Sequence, residues 1–136
     1  MIKYEGNLPF NTINNWNSDL DDHVVFISGK PEIGTTNIVD NAISIGLETK
    51  AGGKGSFACG RETLAAGGGS FAAGRRTKAG YIATATGLDT SAMGNFSFTA
   101  NQNTLATGDA STAFGLNTKA IGAASFSAGA LSTAEG

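Results

Sequence analysis

The 136-residue sequence has one cysteine, Cys59, one histidine, His23, and a formal charge of only −2. A lone cysteine excludes an intrachain disulfide and leaves the redox compartment open. The charge is unevenly spread, with six acids against two lysines in residues 1–40 and five acids against seven bases in 41–136. Neither part has the basic excess of a nucleic-acid binder, so no such partner is expected. No apolar run of signal-peptide length opens the chain, and no stretch of about 20 apolar residues follows, so neither a leader nor membrane insertion is expected. Asp19-Leu20-Asp21-Asp22 lacks the spacing of a calcium loop and reads as a solvated turn. His23 has no Cys or Ser partner in a recognisable arrangement. The sequence therefore predicts no metal and no cofactor.

What is abundant is glycine, 20 residues, and it is periodic. From Ala42 to Gly136 the chain reads as seven-residue blocks, Ser/Thr-x-Ala-x-Gly-x-x: twelve full blocks, one of six residues (Thr77-Lys78-Ala79-Gly80-Tyr81-Ile82) and a final five. Gly occupies position five of every full block but one, and the exception is Asn101. Asn tolerates a left-handed backbone better than other non-glycine residues, so position five is expected to be a corner with positive φ. A coiled coil is excluded, because a Gly in each heptad costs about 1 kcal/mol relative to Ala and no a/d stripe of Leu or Ile exists. Collagen is excluded because Gly does not recur at every third residue. A strand of about five residues and a short turn remain, which is a β-solenoid or β-roll.

The blocks alternate, so the unit is fourteen residues. Odd blocks such as Ser56-Phe57-Ala58-Cys59-Gly60 and Ser70-Phe71-Ala72-Ala73-Gly74 carry a large apolar side chain at position two. Even blocks such as Thr49-Lys50-Ala51 and Thr118-Lys119-Ala120 often carry Lys there. Strand side chains alternate in direction, so positions one, three and five are expected inside and two and four outside. Ser, Thr, Ala and Gly fill only a thin interior, and the larger side chains of the odd strands must point outward. Ile43, Ile45, Phe57, Cys59, Phe71, Phe98, Phe114 and Phe126 are thus the predicted interface of an oligomer, because such a stripe on a monomer is an aggregation liability. Cys59 fits this stripe as a small hydrophobe rather than a reactive thiol. Lys50, Lys78, Ser91, Lys119 and Thr133 are expected to face water, and Thr84 and Thr86 interrupt the apolar stack.

The alternation, and especially Asn41-Ala42-Ile43-Ser44-Ile45-Gly46, resembles the NSVAIG-type motif and 14-residue repeats of the YadA-like head of trimeric autotransporter adhesins. Ser132-Thr133-Ala134-Glu135-Gly136 is similar to repeats of phage fibre proteins built on the same unit. The resemblance covers residues 41–136. It implies an all-β, parallel, left-handed β-roll assembled as a homotrimer. The short block and the Thr pair after it depart from the pattern.

Residues 1–40 lack the repeat and contain one good strand, His23-Val24-Val25-Phe26-Ile27-Ser28, before a turn at Gly29-Lys30-Pro31-Glu32. They are expected to cap the solenoid or to attach it to other virion or fibre proteins. Without a leader or anchor in view, the leading expectation is a phage virion fibre, on tail or head, acting as rigid spacer and receptor- or glycan-binding surface. The alternative is a head fragment of a bacterial trimeric adhesin at the cell surface that binds host matrix or carbohydrate. A polysaccharide-degrading tailspike is the remote third. Glu48 and Glu62 recur in equivalent turns, about 4.8 Å apart if stacked, near the roughly 5–5.5 Å carboxyl spacing of retaining glycosidases. They lie on a convex edge without a cleft, so no catalytic residue is expected. Arg61, Arg75, Arg76 and Lys78 form the one surface constellation suited to an anion or acidic glycan.

Overall fold

The structure, a computed structural model, describes residues 42–136; the predicted cap at residues 1–40 lies outside the described residues. The described part is a parallel β-solenoid of seven coils of about 14 residues, with no helix among them. Each coil contributes one long and one short strand. The long strands are β1 (Ile43–Leu47), β3 (Phe57–Arg61), β5 (Phe71–Arg75), β7 (Thr84–Leu88), β9 (Phe98–Gln102), β11 (Thr112–Leu116) and β13 (Phe126–Ala130). The short ones are β2 (Lys50–Ala51), β4 (Leu64–Ala65), β6 (Lys78–Ala79), β8 (Ser91–Ala92), β10 (Leu105–Ala106), β12 (Lys119–Ala120) and β14 (Thr133–Ala134). They form two seven-stranded sheets, in each of which a strand pairs with its counterparts in the coils before and after it.

Register follows the repeat. Phe57 pairs with Phe71 and Ile43 with Phe57, fourteen residues apart, whereas Phe71 pairs with Thr84 and Lys78 with Ser91, thirteen apart. The residue missing from the short block is therefore absorbed in the turn at 80–82. That location matters, because a one-residue slip within a strand would turn every later side chain to the opposite face. The faces instead stay constant along all seven coils.

The interior is as thin as small side chains require. Ala51, Ala58, Ala65, Ala72, Ala79, Ala85, Ala92, Ala106, Ala113 and Ala120 are buried at position three, and Thr49, Thr63, Thr77, Thr90, Thr104 and Thr118 at position one of the even blocks. Odd blocks prefer Ser at position one for a local reason. The hydroxyls of Ser56, Ser70, Ser97 and Ser111 donate to the carbonyls of Gly53, Gly67, Gly94 and Gly108, three residues earlier, at 2.5–2.6 Å. Each such bond closes the turn that leads into a long strand.

The glycines differ from expectation. In odd blocks position five lies within the long strand, has φ between +105° and +126° in its glycines, and is exposed or half-buried rather than inside. Asn101 adopts φ +85° at the same place. In the even blocks Gly53, Gly67, Gly94, Gly108 and Gly122 lie in the turn without positive φ; there a Cβ would collide with the backbone of the next coil. One sequence rule thus covers two situations, positive φ together with close coil stacking in the long strands, and close coil stacking alone in the turns after the short strands. The left-handed corners proper are at position seven, where Glu48, Glu62, Arg76, Asp89, Asn103, Asn117 and Leu131 have φ near +55°.

Candidate functional site

The outer face of the long-strand sheet carries two columns of side chains. At position two stand Ile43, Phe57, Phe71, Thr84, Phe98, Thr112 and Phe126; at position four stand Ile45, Cys59, Ala73, Thr86, Ala100, Phe114 and Ala128. The structure brings all eight sequence-predicted interface residues onto this face. Phe57 and Phe71 stack with ring centroids 5.3 Å apart and planes 6° from parallel, the arrangement that in-register parallel strands impose on equal side chains. Neighbours in the column shield one another only in part. Phe71 and Phe98 each remain 38% exposed, Phe114 46% and Phe126 68%. Burial pushes the Cys59 thiol pKa up, which suits a small apolar side chain in this face better than a nucleophile.

On the short-strand sheet Lys50, Lys78, Lys119 and Thr133 are exposed and Ser91 half-buried. Leu64 and Leu105 stand half-buried in the same column, so the described solenoid has one largely apolar outer face and one on which polar side chains predominate.

Of the four cations marked in the sequence, Arg61, Arg75 and Arg76 fall along the edge where long strands turn into short ones, and Lys78 opens β6 beside them. Arg61 and Arg75 pair in register in β3 and β5. The Arg61 guanidinium meets the neighbouring Glu62 carboxylate at 3.2 Å. Arg76 holds Asp89 of the next coil through two bonds, Nε to Oδ1 and Nη2 to Oδ2, the latter 2.6 Å. That hydrogen bonding keeps the Asp89 carboxyl below its usual range, against a smaller opposing effect of desolvation, and raises the Arg76 pKa. Glu62, Arg76, Lys78, Asp89 and Ser91 line a shallow open depression. Two of the four cations are thus engaged by carboxylates of the same edge, and the depression presents both signs of charge rather than a uniform anion cradle.

A second apolar surface escaped the sequence reading. Tyr81 (53% exposed), Ile82 (44%), Met93 (55%) and Phe96 (61%) project from the turns that precede β7 and β9. The Tyr81 and Phe96 rings meet edge to face, with centroids 6.3 Å apart and planes at 81°. The available signal was at position seven of the even blocks, where Gly55 and Gly69 give way to Ile82 and Phe96.

No protein-family model and no curated protein matches this sequence.

Proposed function

We propose that the chain is a structural and adhesive component of a homotrimeric fibre, in which three solenoids pack their long-strand sheets around a common axis. The observation that carries this reading is the outer face itself. Ile45, Phe71, Phe98, Phe114 and Phe126 stand exposed on one continuous sheet face of a solenoid whose interior is already filled by Ala, Ser and Thr. Covering one such Phe is worth roughly 1.5–3 kcal/mol, and self-association of identical faces covers the column in every chain at once.

The setting we propose is a phage virion, where the rod acts as rigid spacer, its water-facing sheet and charged edge serve as the contact surface for a host receptor or glycan, and residues 1–40 join it to other fibre proteins. The resemblance of the repeats to those of phage fibres supports that setting. The Asn41 to Gly46 motif favours a second one, the head of a bacterial trimeric adhesin. Neither reading requires catalysis. An antibody raised against the purified protein distinguishes them by electron microscopy: labelled fibres on virions support the first, labelling of phage-free bacterial surfaces the second, and a protein that stays monomeric overturns both.

A further inference from the structure

The exposed turn cluster and the interruption in the apolar column occur at the same level of the solenoid. Position seven of the even blocks is left-handed throughout; Gly55 and Gly69 occupy it in the first two coils, and Ile82 (φ +47°) and Phe96 (φ +59°) in the next two. A β-branched or aromatic residue is disfavoured there. Both side chains are exposed, so the chain's own core gains little from them. The side chains of the cluster nevertheless pack on one another and on the preceding turn: Tyr81 and Phe96 meet edge to face, and a Cβ added at Gly68 or Gly69 would touch Tyr81 or Ile82 at 3.6 Å. Unfavourable backbone positions filled by exposed apolar groups mark a contact surface.

In the adjoining strand β7, Thr84 stands in register between Phe71 and Phe98, and Thr86 between Ala73 and Ala100. The apolar column therefore has a hollow at this coil, bounded by two phenylalanines. In a cyclic trimer of parallel chains equal residues lie at equal height. The hollow in one chain then faces the same coil of its neighbours, whose sheet faces carry the same hollow. Sheet-to-sheet packing alone would leave a void at that level, with its lining stripped of contacts. Among the described residues, the exposed large apolar side chains near that height and outside the two columns are those of the turn cluster, whereas Leu88 at the far end of β7 is half-buried. We propose that Tyr81, Ile82 and Phe96 of each chain dock into the hollow over Thr84 and Thr86 of a neighbouring copy, locking the three chains in one axial register. This inference rests on the homotrimer reading.

The test measures the protein concentration at which half of the trimer dissociates. Thr84→Phe and Thr86→Phe extend a stacked column within the chain, so they tighten the trimer if the hollow is open and loosen it if a neighbour fills it. The inference predicts loosening by about tenfold or more. Ile82→Gly combined with Phe96→Gly relieves two unfavourable backbone positions yet should also loosen the trimer by about tenfold or more. Tyr81→Ser, which leaves the left-handed positions untouched, should act in the same direction. A trimeric wild-type protein whose association is tightened by the Thr variants, or unchanged by the turn variants, overturns the docking while leaving the homotrimer intact. A monomeric wild-type protein overturns both.

Discussion

Gly60 shows how narrowly single residues are constrained in this solenoid. Its φ is +117°, and a Cβ there would fall onto the Gly74 carbonyl oxygen of the next coil. Gly60→Ala should therefore cost on the order of 3 kcal/mol or more per chain, strain and overlap together, whereas Asn101→Gly at the equivalent position should be tolerated; thermal melts of the two variants provide the comparison. The interior hydroxyls carry a subtler consequence. In the coils that have Ser at position three, Ser44 and Ser127 bond the hydroxyls of Thr49 and Ser132, five residues on, at 2.7 and 2.8 Å. Where position three is Ala58, Ala72, Ala85 or Ala113, the corresponding hydroxyls of Thr63, Thr77, Thr90 and Thr118 lack a partner. Ala113→Ser should supply one to Thr118 and raise stability by about 1 kcal/mol, while Ala72→Leu should overpack the same thin space and lower it by about 1–3 kcal/mol. A melting temperature that moves the other way in either variant would contradict the assigned interior.

At the scale of strands and turns, the seven-residue period made most of the architecture legible. It located Thr63, Ala65, Ala72 and Ala113 inside and Lys50, Lys78 and Lys119 outside, because strand alternation requires only the register to be known. It failed at position five, where one letter stands for two backbone situations that only the stacked coils distinguish. It also missed Tyr81, Ile82 and Phe96, whose significance depends on a turn conformation and on which coil they adjoin. The charged edge was legible as a cluster, but not as pairs: that Arg76 reaches Asp89 depends on the thirteen-residue step between their coils. The Asp89 carboxyl titrates below its ordinary value of about 3.9. Its contribution is therefore in place above about pH 4 and is lost as pH falls through the lowered folded value. A carboxyl-resolved titration should show this depression in the unaltered protein and its disappearance in Arg76→Gln; an Asp89 that titrates normally in both would mean that solvent dissolves the pair.

For the whole molecule, the buried interior among the described residues is made of Ala, Ser and Thr, and the larger apolar side chains there are exposed or half-buried. If the proposed trimer holds, folding and association are expected to be one process, since the described solenoid of a single chain buries only small side chains against its conformational entropy. Phe71→Asp combined with Phe98→Asp should dissociate and unfold the assembly together, because it sets two charges per chain on an axis with no counter-ion. Sedimentation equilibrium of the unaltered protein at micromolar concentration is the most direct measurement. The account predicts a single species of three times the 13.7 kDa chain mass; a stable, folded species at the mass of one chain would contradict it.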